Sequence, residues 1–223
     1  MGHLIVLEHD AVPSSDELAY WIERARRRGF RVLRTGALFP DAASAVLEAG
    51  FRLLDSLVLL RIDLDDPTAL DAPPQNGARG GVRVTRLWAR QHEAAAAVDR
   101  VSFGATWGND ARSLADIRRA TPAHWARKVG ASRGVDAFAI SGAGGRTGYV
   151  QRLAVHPDQR RSGIANALVD DAIAWMRSRG LSSALVNTGE DNTAALKLYE
   201  RWGFRRLGDR LTVAELVFPG SRS

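Results

Sequence analysis

The chain has 223 residues, of which 45% are hydrophobic, so it is long enough for one large or two small domains with a buried core. It contains no cysteine, which excludes disulfides and cysteine-ligated zinc. Because no apolar run reaches about 18 residues and the N-terminus lacks a charged-then-apolar pattern, we expect a cytoplasmic protein without a membrane span.

The balance of charge is basic, since 31 lysines and arginines against 25 acidic residues give a net charge of +6. Basic domains often bind nucleic acid. Here the arginines are spread along the chain, as at Arg24–Arg28 and Arg205–Arg206, without a basic tail or a basic strand carrying aromatic residues. This distribution favours a compositional bias, and we predict that the chain binds neither nucleic acid nor a membrane.

The first 64 residues predict short strands alternating with two helices. The stretch Pro13–Glu17 is typical of a helix start, because it offers serine and aspartate as caps and acids in the first turn, and Gly29 ends this helix. A second helix is predicted from Pro40 or Asp41 to Gly50. Strands are predicted over 3–8, 30–35 and 53–64, the last as one strand or two.

Residues 65–81 are rich in Pro, Gly and Asp, which predicts a linker. We therefore divide the chain into a unit of residues 1–64, the linker 65–81, and a unit of residues 82–218. Strands of the second unit are predicted at 82–87, 125–129, 135–141, 148–155, 185–188, 205–207 and 211–218, and helices at 89–103, 110–120, 164–179 and 192–202.

The segment Leu153–Ala165 predicts the end of a strand, a tight loop and the start of a helix. Gly163 allows the backbone to approach a ligand closely, and the first N–H groups of a helix have no partner within it. Arg160 and Arg161 add positive charge at the end of the helix dipole that favours anions. The pattern therefore predicts a site for a phosphate or a pyrophosphate.

The residues Arg160-Arg161-Ser162-Gly163-Ile164-Ala165 resemble the acetyl-CoA signature Arg/Gln-x-x-Gly-x-Gly/Ala of the GNAT family, the GCN5-related N-acetyltransferases. The stretch Asn192–Phe204 is similar to the second signature of that family, an asparagine seven residues before a tyrosine and then Gly-Phe. The resemblance covers residues 82–218. It implies an α/β fold, the mixed-sheet acyl-CoA N-acyltransferase fold, in which acetyl-CoA lies as co-substrate between two strands that splay apart.

The resemblance also implies how acetyl-CoA is bound. Backbone groups of Leu153 and Val155 would bond the pantetheine arm, and N–H groups from Arg160 to Ala165 would hold the pyrophosphate. Tyr199 would lie by the thioester sulfur and is the predicted catalytic residue, the alternative being a core tyrosine on an amphipathic helix. The implied cofactor-binding residues are Leu153, Ala154, Val155, Arg160, Arg161, Ser162, Gly163, Ile164, Ala165, Asn187, Asn192, Ala195 and Tyr199, and no metal is implied.

The general base is the open part of this hypothesis. Several peptide and protein acetyltransferases of the family carry a glutamate five residues before the motif asparagine, and this chain has Asn187 there, which cannot act as a base. Glu190, Asp191, His156, a water relay and a partly neutral substrate amine remain alternatives.

Two functions follow from these motifs. The first is an acetyl-CoA-dependent N-acetyltransferase that acts on a primary amine of a peptide, protein or small molecule, as a monomer or homodimer. The second, motivated by Asn187, is a non-catalytic acyl-CoA-binding regulatory protein. The resemblance places the acceptor wall at the Phe103–Gly108 loop. Trp88, Trp107 and Trp125 lie on the implied acceptor side and are either substrate contacts or core and rim residues.

An internal repeat links the two units. Thr35-Gly36 lies 14 residues before Gly50-Phe51, as Thr188-Gly189 lies 14 residues before Gly203-Phe204, and each pair follows a helix that ends in Arg-Gly. Residues 3–64 therefore resemble a degenerate GNAT-like half-domain, as in actinobacterial members of the family.

The repeat also predicts which copy is inactive. When the two Thr-Gly pairs are aligned, Val46 stands where Tyr199 stands and Phe39 stands where Asn192 stands. We expect the N-terminal unit to bind no acetyl-CoA.

Overall fold

The computed structural model describes residues 2–4, 11–66 and 81–219. They form two compact units, the first made of residues up to 59, 187–193 and from 206 onward, and the second of 60–186 and 194–205. These bounds differ from those predicted, because strands of the sheet run through the boundaries. Most of the predicted linker lies outside the described residues, so the domain bounds from sequence stay a prediction.

The first unit contains two helices and a small mixed sheet. Strand β1 pairs in parallel with β2, and β2 pairs antiparallel with β9. The predicted 3–8 strand lies partly outside the described residues, and the apolar region after Gly50 forms one long strand, not two. The elements are β1 (Gly2–Leu4), α1 (Ser15–Arg27), β2 (Val32–Thr35), α2 (Pro40–Glu48), β3 (Arg52–Asp63) and β9 (Arg205–Val217).

Helix α1 begins at the predicted cap and ends at the predicted glycine. The hydroxyl of Ser14 accepts the N–H of Glu17 at 3.3 Å, and the Glu17 carboxylate accepts the N–H of Ser14 at 2.9 Å. At the other end Gly29 has φ +71°, a left-handed conformation that glycine adopts without strain. The core of this unit is formed by Leu18, Ala25, Leu33, Leu38, Ala42, Ala43, Val46, Phe51, Ala214 and Phe218.

The second unit has a mixed sheet with helices on both faces. Strands β4 to β7 pair antiparallel in chain order, and β7 pairs in parallel with β8. The elements are β4 (Thr85–Arg86), a 3-10 turn (Ala89–Gln91), α3 (His92–Trp107), α4 (Ala111–Arg119), β5 (Ala123–Val129), β6 (Ala137–Gly144), β7 (Thr147–Val155), α5 (Ile164–Ser178), β8 (Ser183–Gly189) and α6 (Thr193–Arg201).

Three elements differ from the sequence-based expectations. The strand expected over 82–87 is only Thr85–Arg86, which pairs with two residues of β5. The helix expected to end at Phe103 continues to Trp107 across a break at Gly104, which has φ +74°. The two strands expected at 205–207 and 211–218 are one strand, because the backbone stays extended through Gly208.

The two faces of the second sheet have separate cores. Phe138 and Ile140 of β6 pack with residues of α3 and α4. Ala137 and Ala139, which alternate with them, pack with Ile164 and Leu168 of α5. The period of two in β6 thus places α3 and α4 on one face and α5 on the other. No helix in the described ranges is long and apolar enough to cross a membrane.

The two halves of the predicted repeat end their helices with the same hydrogen bonds. After α2, the N–H of Phe51 donates to the carbonyl of Val46 at 3.3 Å, and after α6 the N–H of Phe204 donates to the carbonyl of Tyr199 at 3.0 Å. Helix ends of this kind are common in proteins. The local structures agree with the repeat, which stays a prediction at the level of domains.

Candidate functional site

A bulge in β7 ends its pairing with β8. The parallel ladder runs from Thr147 to Val150 of β7. On the other side, Ile140 pairs with Arg152 but the next residue of β6 pairs with Val150, so Gln151 is an extra residue. A bulge of this kind bends and twists its strand. Beyond it, Arg152–Val155 pair only with β6 among the described residues, and the other edge of this segment is open.

Backbone groups of Leu153 and Val155 point to that open edge. The N–H of His156 donates to the carbonyl of Asp136, just before β6, at 2.9 Å. Because backbone groups of successive strand residues point to opposite sides, those of residues 153 and 155 point away from β6. The carbonyl of Val155 accepts the hydroxyl of Ser102 at 3.1 Å. The N–H groups of both residues and the carbonyl of Leu153 are thus directed toward the edge where the resemblance places the pantetheine arm.

The loop after β7 is held in shape by its own side chains. Residues Pro157–Gln159 form a 3-10 turn, and the Nδ1 atom of His156 accepts the N–H of Asp158 at 3.3 Å. The hydroxyl of Ser162 donates to the carbonyl of Gln159. These contacts give His156 a structural role as the cap of the turn.

Helix α5 begins without a side-chain cap. Gly163 precedes it with φ +80°, and Arg161 also adopts a positive φ of +62°. The N–H of Ala167 donates to the carbonyl of Gly163 at 3.1 Å, and the N–H groups of Ile164–Asn166 come before this first turn is closed. Helices α1 and α4, in contrast, are capped by serine and aspartate side chains.

Positive charge surrounds this uncapped helix start. Arg160 and Arg161 are exposed, and the Arg160 guanidinium lies 3.4 Å from the carbonyl of Ser102. Helix α5 has no acidic residue in its first turn. N–H groups without a partner in the helix, the helix dipole and two guanidinium groups are features that favour an anion, and the pyrophosphate site stays a prediction.

Tyr199 is a buried residue of α6. Only 4% of it is exposed, and its ring meets Phe204 edge-on with centroids 5.6 Å apart. Burial raises the pKa of Tyr199 because the phenolate would lose its hydration. The phenol therefore stays protonated and acts as a hydrogen-bond donor, not as a base. Helix α6 meets the start of α5 where the indole N–H of Trp202 donates to the amide oxygen of Asn166 at 3.2 Å.

The two predicted asparagines belong to the first unit. Asn187 is exposed near the end of β8, and the N–H of Asn192 donates to the carbonyl of Gly189 at 3.1 Å just before α6. The β7 edge, the loop up to Ala165, and helix α6 with half-buried Ala195 and buried Tyr199 all lie in the second unit.

The acidic candidates for a general base are solvated. Glu190 is exposed and pairs with Arg210 at 3.0 Å, and Asp191 is exposed as well. Neither carboxylate is buried in an apolar pocket of the kind that tunes a general base. In the ranges that the structure describes, no group of three or more His, Asp or Glu residues has the arrangement to hold a metal ion.

The sequence reading missed one buried charge pair. Asp99 of α3 is fully buried and pairs with Arg152 of β7 through two contacts of 2.7 Å. Asp99 follows the apolar run Ala94–Val98 on a predicted helix, so the sequence could have indicated a buried carboxylate, but not its partner.

Comparison with known proteins agrees with this geometry. The family model described as the acetyltransferase (GNAT) family matches residues 117–204. The chain is similar to a mycothiol acetyltransferase from Thermobispora bispora, with 32% identity over 194 residues that cover 80% of this chain and 63% of that protein. It therefore spans somewhat less than two thirds of that relative's length.

Solved structures of the same fold are also similar. A GCN5-related N-acetyltransferase from Sphaerobacter thermophilus has a TM-score of 0.58 at 18% identity, covering 89% of this chain and 65% of that one. A tandem GNAT protein from the clavulanic acid biosynthesis pathway has a TM-score of 0.62 at 16% identity, covering 93% of this chain and 70% of that one.

The mixed sheet with its opened strand edge and uncapped helix defines an acyl-CoA N-acyltransferase fold. Residues 117–204 carry the match to the acetyltransferase (GNAT) family model, and the solved GNAT structures show that the chain shares their fold.

Proposed function

We propose that the chain is an acetyl-CoA-dependent N-acetyltransferase that transfers acetyl to a primary amine. The observation that carries this proposal is the continuous backbone surface from the open β7 edge to the uncapped start of α5. It offers hydrogen-bond donors for an extended arm and, next to them, an anion site. An arm with amide groups that ends in a pyrophosphate matches both parts.

The cofactor would use the predicted residues as follows. The N–H groups of Leu153 and Val155 bond the pantetheine arm, with Ala154 between them facing the core of the sheet. The segment Arg160–Ala165 holds the pyrophosphate through its N–H groups and two guanidinium groups. Asn187, Asn192 and Ala195 stay predicted contacts of the arm. The N–H groups at the β7 edge are also the proposed donors to the oxyanion that forms in the transition state.

The transfer itself is a substitution at the thioester carbonyl. The amine nitrogen attacks the carbonyl carbon, a C–N bond forms, and the C–S bond breaks when the tetrahedral intermediate collapses. Coenzyme A leaves as a thiolate, to which Tyr199 donates a hydrogen bond. Because burial raises the pKa of Tyr199, full proton transfer to a thiolate with a pKa of about 8.5 is unfavourable. The proton that the amine loses is carried by water and restores the thiol.

The acceptor must reach the site as a neutral amine. A lysine has a pKa of about 10.4 and an α-amine has a pKa of about 7.7–8.0. An α-amine, or another amine of similarly low pKa, is therefore deprotonated more easily at neutral pH. Asn187 stands where several family members carry a glutamate, and the nearby carboxylates of Glu190 and Asp191 are exposed. This favours a water relay and an acceptor of this kind.

A thiol-release assay with acetyl-CoA and a panel of amines tests the proposal. The panel contains small-molecule amines, a lysine peptide, a peptide with a free α-amine, and a mycothiol-related amine, because the Thermobispora bispora relative is named for that compound. Amine-dependent release that Tyr199→Phe slows supports the proposal. Tight acetyl-CoA binding with no release on any amine would instead indicate the acyl-CoA-binding regulatory protein.

A further inference from the structure

A buried ion pair joins helix α3 to strand β7. The guanidinium of Arg152 donates from Nε and Nη2 to the two carboxylate oxygens of Asp99, both at 2.7 Å, and lies 3.7 Å from the centroid of the Phe103 ring. The side chain of Asp99 is completely buried and that of Arg152 is 18% exposed. Burial of two charges is costly unless their hydrogen bonds are complete, so a pair of this kind is weak evidence of stability and points to a need for a defined geometry.

The same pair holds both ends of one loop. Helix α3 breaks at Gly104, and its last residues, Ala105–Trp107, form a short turn before Gly108. We call the segment Phe103–Gly108, which contains this break and turn, the loop. Arg152 also donates to the carbonyl of Trp107 at 2.8 Å. Asp99 accepts the backbone N–H of Asn109 at 2.6 Å and its side-chain amide at 3.1 Å. The loop between Phe103 and Gly108 is therefore fixed to β7 through two side chains.

The loop also packs closely against the last turn of α3 before the break. A Cβ atom at Gly108 would lie 2.7 Å from the carbonyl oxygen of Gly104 and 2.8 Å from the Cα atom of Arg100. Such separations are shorter than the contact distance of carbon atoms. The loop therefore folds back on the last turn before the break, and Arg152 reaches its carbonyl from the sheet.

Further contacts connect this loop region to the proposed cofactor surface. Arg152 directly precedes Leu153, whose backbone faces the open edge of β7. Ser102 donates to the carbonyl of Val155, and its own carbonyl lies 3.4 Å from the guanidinium of Arg160. The end of α3 thus contacts the strand that would hold the pantetheine arm and the loop that would hold the pyrophosphate.

We propose that the Asp99–Arg152 pair is a positioning element that fixes the Phe103–Gly108 loop, as the wall of the acceptor site, relative to the thioester at the β7 edge. This inference rests on the proposed acetyltransferase function. The two side chains do not touch the reacting atoms. They set the distance between the amine and the carbonyl carbon, on which the rate of a bimolecular step depends steeply.

Arg152→Lys tests this role, and Arg127→Lys is its matched control. Lysine keeps the charge but is a single point donor and cannot form the planar two-contact fork. Arg127 forms a similar fork with Asp171 on the α5 face, where the side chains are 22% and 20% exposed, and it makes no contact with the loop. Both substitutions therefore weaken one partly buried pair, but only one of them releases the loop.

We expect Arg152→Lys to lower kcat/KM for the amine by about 10- to 100-fold, the range of a misplacement of about 1 Å. The dissociation constant of acetyl-CoA should stay within about twofold, since Arg152→Lys changes neither the backbone N–H groups nor the guanidinium groups of Arg160 and Arg161 that would bind it. Arg127→Lys should leave both constants within the same twofold range. The proposal would be overturned if Arg152→Lys and Arg127→Lys lost equal kcat/KM for the amine, or if Arg152→Lys left kcat/KM unchanged.

Hydrogen exchange separates this inference from the proposed function. The N–H of Asn109 donates to Asp99, so exchange in residues 103–109 should quicken in Arg152→Lys and not in Arg127→Lys. If the unmodified protein acetylates no amine, the proposed function fails, and faster exchange still identifies the pair as the element that fixes the loop. Unchanged exchange in Arg152→Lys overturns the inference whatever the activity.

Discussion

Gly163→Ala separates cofactor binding from stability at the start of α5. Gly163 has φ +80°, and a residue with a Cβ atom adopts this conformation at a cost of about 1–2 kcal/mol. The N–H groups around it are the proposed donors to the pyrophosphate. Loss of one hydrogen bond to a charged group costs about 1.5–3 kcal/mol, which corresponds to about 10- to 100-fold in affinity.

The other end of the same helix provides the control. Gly180 follows α5 with φ +68°, and a Cβ atom there meets nothing within 4 Å. Gly180→Ala therefore carries a similar backbone cost without any clash and without contact with the proposed site. The two variants should lose similar free energy of unfolding in a denaturant titration, and only Gly163→Ala should lose affinity for acetyl-CoA.

Calorimetry with two ligands makes the assignment sharper. Acetyl-CoA contains the pyrophosphate, whereas an acetylated pantetheine lacks it and can use only the β7 edge. Gly163→Ala should lower the affinity for acetyl-CoA by about 10- to 100-fold and leave the affinity for the acetylated pantetheine unchanged. The assignment of this loop to the pyrophosphate would be refuted if Gly163→Ala lost equal affinity for both ligands. It would also be refuted if Gly163→Ala and Gly180→Ala lost equal affinity for acetyl-CoA.

Three further predictions follow from the same structure. Tyr199→Phe should lower kcat for thiol release by about 10- to 100-fold, because one hydrogen bond to the leaving thiolate is lost, with little change in the dissociation constant of acetyl-CoA measured by calorimetry. Burial and then the charges of Arg118 and Arg119 lower the pKa of His92 below its ordinary 6.5, so the native state resists protonation. The contribution of neutral His92 to the free energy of unfolding should therefore be fully present above about pH 6.5 and be lost as the pH falls below it. Urea titrations at several pH values should show that the free energy of unfolding depends less on pH in His92→Gln. The chain should bind one acetyl-CoA, and Gly163→Asp should abolish that binding while circular dichroism stays unchanged.

The sequence predicted most elements of the fold because their signals are local. The Ser14 cap, the Pro40 start and the glycines after α1, α2, α5 and α6 act within one helical turn, and the structure has helix ends within a few residues of each. Most errors concern strand lengths, which depend on the strands that they pair with. Thr85–Arg86 is short because β5 offers it only two partners, a fact that no residue of 82–87 contains.

The candidate site also contains local features, which the sequence predicts, and long-range contacts, which it does not. The uncapped helix start after Gly163 is a property of a short stretch, and the sequence was sufficient to predict a helix that begins at this glycine. The bulge at Gln151 depends on the register between β6 and β7, and the Asp99–Arg152 pair joins residues 53 positions apart. Contacts at that separation require the folded topology, so composition and spacing do not indicate them.

A comparison of two helix starts explains why one cofactor site per chain is expected. Helix α1 has Asp16 and Glu17 in its first turn, and the hydroxyl of Ser14 already accepts the N–H of Glu17. Hydrogen bonds from Ser14 lower the pKa of the Glu17 carboxyl, so it stays ionised and repels an anion where the dipole would attract one. Helix α5 begins at Gly163 with no acid and no side-chain cap. The same pairing that stabilises α1 as a helix removes the donors that a pyrophosphate needs, so a helix start serves either as a self-capped element or as an anion site.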